Sequence, residues 1–448
     1  SFFLISAIPL SIIFLILFPH WSSPDSEAHV RAAYRISNLF LGHGGNEQWF
    51  ARGDDKYYIE TFVRGDNPYM RDYLKTIYHF KFFESSPSLA DLNVHEEKMT
   101  FYSALNYLPQ AIGICIGRLL HLGSVTTFYL GRLGILVVYL FSCLRAIRNT
   151  PVGKYIFALI PLFPMALMMS SSYSYDAMVI VSSLSLTACI LKLSMEPTNK
   201  ICMMEILLWT FIVGGIKGGG SLILLPLLAI VYLRSKPEEK KKVLKALLLI
   251  FALGLCSLIL FDIILPNGLG FQFGNGGTGK MTTSYLFFHP LIYFDMLLKT
   301  YIDYLTHFVF QLGGTHLGWL EYTIPHLYIM GIFIVTCILA LCETDGMQLS
   351  RYEKRIMGAI IVLEMILLPA MLLSYTPHQS VRVEGIQGRY FFPIIPLVFL
   401  LMTKKDNHVL SHYRNQDQKQ MMINKSMLCF AFLSVTSVYY MLKLYLSR

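Results

Sequence analysis

The sequence predicts an all-α polytopic membrane protein with about eleven transmembrane helices, within a range of about 10–13. Three observations carry this expectation. Hydrophobic residues make up 54% of the 448 and charged residues 15%, against about 25% charged in an ordinary soluble domain. Mean hydropathy is +0.52. Apolar runs near the length that crosses ~30 Å of hydrocarbon recur along the chain, with basic residues clustered between them. The net charge of +9 therefore reads as topology. A nucleic-acid surface would need a basic face with stacking aromatics on a soluble module.

The elements follow in order. Residues 2–19 read as the first span, because no basic n-region precedes them and no small-x-small cleavage site follows. The clusters Arg145/Arg148/Lys154, Lys192/Lys200, Arg234–Lys245, Arg351/Lys354/Arg355 and Lys404–Lys425 are expected to face the cytoplasm. That leaves residues 20–126 as a long extracytoplasmic loop. Further spans fall at 127–145, 155–172, 176–193, 201–216, 219–233, 246–265, 325–342, 356–375, 390–403 and 427–446. Segment 104–122 carries Asn106, Pro109, Gln110 and Arg118, and is expected as an amphipathic helix in the outer interface. Segment 285–312 places Asp295, Lys299, Asp303 and His307 at helical spacing, which suits an interfacial helix or a polar-faced span. The chain thus divides into a transmembrane module over 1–265, an extracytoplasmic loop over 266–324 and a C-terminal transmembrane module over 325–448.

Several features are decoys. The eight cysteines all lie in apolar segments, without metal-ligand spacing to histidine, and read as core. Gly274-Asn-Gly-Gly-Thr-Gly279-Lys280 imitates a phosphate loop. Met281 replaces the required Ser/Thr, and the segment falls in an extracytoplasmic loop away from cytoplasmic nucleotide, so a plain flexible loop is the reading.

Four constellations can carry chemistry. Ser23-Pro24-Asp25-Ser26-Glu27-Ala28-His29 follows the first span. Ser23 suits an N-cap and Pro24 a first turn, which would put Asp25 and His29 four apart on one helix face. Such a pair could take a proton from a substrate hydroxyl, with Glu27 in reserve. Tyr175-Asp176 sits at the outer end of a helix pair, where the acid can serve a site or simply cap a helix. Lys217 lies among glycines between two short apolar runs, and a lone cation between membrane helices points to function, with phosphate the natural anion. Arg389, with Arg382 nearby, offers phosphate a rigid fork of donors.

These residues resemble the GT-C superfamily of membrane glycosyltransferases, and in particular a bacterial branch catalogued as uncharacterised membrane proteins. That branch shows Pro-Asp-Glu-x-x-His-x-x-Arg-Ala after the first helix. Pro24, Asp25, His29, Arg31 and Ala32 match it if the arginine is allowed one position of slack, while Ser26 stands at the glutamate position and Glu27 follows it. Ser174-Tyr175-Asp176, Lys217, Gly318-Trp319-Leu320 with Pro325, and Gln387-Gly388-Arg389-Tyr390 with Pro393 match later motifs in order, across roughly residues 20–400. The usual Pro-Pro-Tyr after the lysine is Gly-Gly-Gly here.

The resemblance implies a GT-C fold and a glycosyltransferase using a sugar on polyprenyl phosphate, usually undecaprenyl phosphate. Asp25 would be the general base, and transfer would proceed with inversion through an oxocarbenium-like state. His29 would orient Asp25 or contact the acceptor. Lys217, Arg389 and Arg382 would hold the donor phosphate. Arg31, Tyr175, Asp176, Trp319, Gln387 and Tyr390 would line the substrate site. The acceptor would be a cell-envelope glycan, lipid or protein outside a bacterial plasma membrane. Some relatives bind a divalent metal, but too few carboxylates cluster here to predict a metal or another cofactor. The competing expectations are a transporter or flippase of lipid-linked saccharides, a glycan polymerase or ligase with a pyrophosphate-linked donor, and a non-catalytic membrane scaffold.

Overall fold

The computed structural model describes residues 2–18, 23–42, 50–52, 55, 89–91, 104–197, 199–264, 280–282, 285–318, 322–343, 346–403 and 416–446. The described chain is dominated by helices, with two short antiparallel strand pairs. One joins Phe50–Arg52 to Leu89–Asp91 with Ala51 opposite Ala90. The other joins His316–Leu317 to Tyr322–Thr323. Six of the described helices are long and apolar enough to cross a membrane: Ser124–Asn149, Asp176–Met195, Lys217–Arg234, Lys240–Ile259, Arg351–Tyr375 and Asp417–Leu444. Phe2–Ile16 and His326–Cys342 are shorter apolar helices. This is the architecture of a multi-pass membrane protein, in which helices satisfy their own backbone groups.

Helix Asp176–Met195 lies at the centre and is buried on nearly every face. Against one side of it packs Ser124–Asn149, which pairs in turn with Ala104–Leu119. That last pairing is a close hairpin. A Cβ on Gly113 would lie 2.1 Å from the Leu130 carbonyl oxygen, and one on Gly134 would lie 2.3 Å from the Pro109 oxygen. Glycine here lets two backbones approach as they do in membrane bundles. The expected amphipathic helix over 104–122 therefore forms, but it is seated along its neighbour by one face. Ile112, Ile116 and Leu119 stand exposed on another.

Arg132, on helix Ser124–Asn149, is 1% exposed. Its guanidinium donates to the carbonyls of Phe14 (3.0 Å), Phe18 (3.1 Å) and Ser171 (2.5 Å). It thus caps the end of the first helix, where carbonyls lack intrahelical partners.

Three expected spans are interrupted. Segment 155–172 becomes Lys154–Leu159, a 3₁₀ turn Ile160–Leu162 and Pro164–Ser170. Pro161 and Pro164 remove the amides a continuous helix would use. Segment 390–403 becomes a 3₁₀ turn Gly388–Phe391 and the helix Ile395–Leu400, with Pro393 between them. Segment 219–233 opens as the 3₁₀ stretch Lys217–Leu227 before turning α-helical at Leu228. Segment 285–312 becomes the single turn Tyr285–Phe288 and the helix Pro290–Gly313, closed by Gly314 at φ 111°. Tyr301 on this helix donates at 2.7 Å to the Met365 carbonyl. Pro369, four residues on, has no amide to give that carbonyl.

Candidate functional site

The site assembles where the central helix begins. Asp176 is its first residue, set by a turn in which the Asp176 amide donates to Ser174 Oγ at 3.2 Å. A helix N-terminus favours negative charge. The carboxylate is 4% exposed and meets two cations. Lys217 Nζ lies 2.9 Å from Oδ1, and Arg389 Nε lies 2.7 Å from Oδ2.

Each cation is aimed by local backbone. Lys217, Gly218 and Gly219 take φ values of 47°, 62° and 66°, three successive residues in the left-handed region. Glycine accepts this freely, whereas lysine does so only at a cost of order 1–3 kcal/mol. The Lys217 amide donates to Asn106 Oδ1 at 3.2 Å. The amine sits 3.9 Å from the centre of the Tyr390 ring and 5.1 Å from that of Tyr175, so two aromatic faces share it with Asp176. Arg389 is placed by its neighbour Gly388, whose amide donates to Gln311 Oε1 at 2.6 Å. A Cβ on Gly388 would lie 2.1 Å from the Phe308 carbonyl oxygen. Only glycine lets this turn touch helix Pro290–Gly313.

His29 borders the same cluster, 4% exposed. Its Nδ1 is 2.7 Å from the Tyr107 hydroxyl, and its ring meets Tyr175 edge-on at 4.9 Å. Burial pushes the imidazole down to about 3; Asp176 opposes this, while Arg389 and Lys217 add to it. His29 is a neutral group at neutral pH.

Asp25 differs from expectation. The helix starts at Ser26, so Asp25 stands just outside it with φ 56° and no side-chain capping bond. Ser23 does not cap it either; Ser23 Oγ and Ser26 Oγ are hydrogen-bonded at 2.6 Å. Asp25 is thus the N-cap, its carbonyl accepting the His29 amide at 3.1 Å, and not the first-turn residue expected. Asp25 is exposed, and its charge acts on Arg389 and Tyr390. Non-glycine residues with positive φ are Asp25, His121 and Lys217 among those described. Two of the three border this site, where backbone strain is commonly held.

The structure thus brings together Asp25, His29, Tyr175, Asp176, Lys217, Arg389 and Tyr390. Glu27 instead pairs with Arg31 one turn along their helix. Arg382 pairs with Asp303 at 2.5 Å on an exposed face and does not join the buried cations. Gln387 leads into the Arg389 turn, and its buried Oε1 has no partner. Trp319 lies outside the described residues. Among those residues no group of three His, Cys, Asp or Glu side chains could hold a metal ion.

Sequence reasoning missed three contributors. Asn106 and Tyr107 lie on helix Ala104–Leu119, and nothing local marks them as partners of Lys217 and His29. Glu364 is 6% exposed on the spanning helix Arg351–Met371, and its charge acts on Lys217. Its signal was legible: a lone acid in the apolar run 356–375.

Residues 9–398 match the model of a family described as Predicted membrane protein (DUF2142). No curated protein and no solved structure matches the chain.

Proposed function

We propose that this chain, which belongs to the DUF2142 family of predicted membrane proteins, is a glycosyltransferase of GT-C type with about eleven spans, counting the interrupted segments. It would take a sugar from a polyprenyl-phosphate donor and deliver it to a hydroxyl of an envelope glycan, lipid or protein on the extracytoplasmic face of a bacterial plasma membrane. The observation that carries this reading is the pairing of two buried cations, Lys217 and Arg389, on the single carboxylate of Asp176. Asp25 and Glu364 act on the two cations without an ion pair to either, so two donor groups converge on one contacting carboxylate, an arrangement matched to a phosphate.

The reaction then divides among named groups. The Asp25 carboxylate, exposed beside the cations, takes the proton of the acceptor hydroxyl. The hydroxyl oxygen attacks the anomeric carbon and forms the new glycosidic bond. The bond from that carbon to the phosphate oxygen breaks on the opposite side, which inverts the centre. The electron pair leaves on the phosphate, whose charge Lys217 and Arg389 stabilise. Neutral His29, fixed by Tyr107, is suited to a hydrogen bond with the acceptor and not to proton storage at neutral pH. Asp176 keeps the two cations together between turnovers.

The test uses purified protein in lipid nanodiscs with a labelled polyprenyl-phosphate sugar. Asp25→Asn is expected to bind donor normally and to lose transfer by at least about 100-fold. Lys217→Ala and Arg389→Ala are expected to weaken donor binding. Unchanged transfer by Asp25→Asn rules out the assigned base. Movement of labelled lipid-saccharide across the bilayer without a new glycosidic bond favours a transporter instead.

A further inference from the structure

Away from the Asp176 cluster, a second buried cation stands without an acid in contact among the described residues. Arg118 lies in the last turn of helix Ala104–Leu119 and is 6% exposed. Its Nη1 donates to Ser37 Oγ and Asn38 Oδ1, both at 2.7 Å and both neutral. Its Nη2 is buried and has no partner. Asp55 is the acid that acts on it, but Asp55 is held by both prongs of Arg52, with Nε–Oδ2 and Nη2–Oδ1 each 2.8 Å.

Arg132 provides the contrast within the same fold. It is as deeply buried, yet its Nε, Nη1 and Nη2 all reach carbonyls. A buried guanidinium with neither counter-charge nor full hydrogen bonding is costly. It implies an anion.

Two further donors sit beside Arg118. Asn38 is 2% exposed, and its Nδ2 has no partner. That nitrogen shares a carbon with the oxygen already bonded to Arg118. Tyr34 is one turn earlier on the same helix face. It is fully buried, its hydroxyl is unpartnered, and Arg118 acts on it electrostatically. Three unpaired donors therefore cluster around one surplus positive charge.

The surroundings say what kind of anion. Leu119 and Leu120, next in the chain to Arg118, are 65% and 63% exposed, and Ile116 is 45% exposed. Leu39 and Phe40, next to Asn38, are 43% and 55% exposed. A buried cation flanked by exposed apolar side chains fits an amphiphile. We propose that Arg118, Asn38 and Tyr34 form a site for the phosphate of an anionic membrane lipid, with its acyl chains lying along Ile116, Leu119, Leu120, Leu39 and Phe40. Among the described residues, Arg118 is held by two neutral oxygens, and its second prong is left for the headgroup.

The experiment titrates phosphatidylglycerol, phosphatidylcholine and inorganic phosphate into the full chain in neutral detergent, reading bound lipid by native mass spectrometry and stability by thermal shift. The same titration in the Lys217→Ala background removes any contribution from the Asp176 cluster. Phosphatidylglycerol is expected to bind and stabilise in both backgrounds, and phosphatidylcholine to do neither. Tyr34→Phe removes an unpartnered hydroxyl, so it is expected to leave lipid-free stability unchanged or raised while weakening phosphatidylglycerol about tenfold. Arg118→Gln is expected to abolish the difference between the two lipids. Equal affinities for the two lipids, or unchanged phosphatidylglycerol affinity in Tyr34→Phe, overturns the site. Inorganic phosphate binding as tightly as phosphatidylglycerol overturns its assignment to a lipid.

Discussion

Asp176 carries two roles at the scale of a residue. It holds Lys217 and Arg389 at bonding distance, and it supplies the negative charge that lets both remain buried. Asp176→Asn keeps the shape and removes the charge. Breaking a buried ion pair from one side typically costs ~3–5 kcal/mol, so this variant is expected to show a strongly lowered thermal midpoint. A donor phosphate should then restore part of the loss, and thermal shift with and without donor measures both effects.

His29 gives the pH dependence. Its imidazole is pushed down to about 3, chiefly by burial, while an unfolded histidine titrates near 6.5. Between those values the unfolded chain binds a proton that the folded chain refuses, so stability rises with pH. Acidification below about 6.5 should therefore destabilise the protein until the folded group itself protonates near 3. His29→Gln should flatten that dependence. A wild-type and variant melt series from pH 4 to 8 that runs parallel would exclude the effect.

At the same scale, Asp176, Lys217 and Arg389 were legible because charge is rare and expensive between apolar runs. Their mutual pairing was not, since 41 residues separate Lys217 from Asp176 and no periodicity spans that gap. Tyr107, 78 residues from His29, was hidden for the same reason. The expected start of this helix was early by a small margin: the helix begins at Ser26, and Asp25 caps it with left-handed backbone geometry.

At the scale of elements, the functional turns are made by breaks. Helix Lys200–Gly214 ends and the 3₁₀ stretch from Lys217 begins through three left-handed residues. The segment after Gln387 runs as a 3₁₀ turn because Gly388 must press on helix Pro290–Gly313. Gly388→Ala is accordingly expected to push this turn off the helix and shift Arg389. Transfer should fall at least about tenfold, with donor binding weakened and expression retained. Normal transfer kinetics in that variant would show that the contact does not position the cation. The prolines behind two of the three interrupted spans were plain in the sequence, but hydropathy over a window of about nineteen residues does not register a break in hydrogen bonding.

At the scale of the whole molecule, the helical membrane architecture was the most legible property, because hydrocarbon admits so few alternatives. The arrangement of helices was not. Pattern alone could not tell that Ala104–Leu119 is bound along Ser124–Asn149 through Gly113 and Gly134, since small residues carry no hydropathy signal for the partner they admit. That hairpin brings Asn106 and Tyr107 to the Asp176 cluster and leaves Arg118 at its other end, so one helix borders both proposed anion sites.

The grip of Arg132 on the first helix has a consequence for biogenesis. The carbonyls of Phe14 and Phe18 wait for a guanidinium encoded 118 and 114 residues later. During synthesis the first helix must therefore enter the bilayer with that end still hydrated, and it docks only after the span bearing Arg132 has been inserted. Assembly has an order: helix Phe2–Leu17 is made before helix Ser124–Asn149 and settles only once that later span is in place.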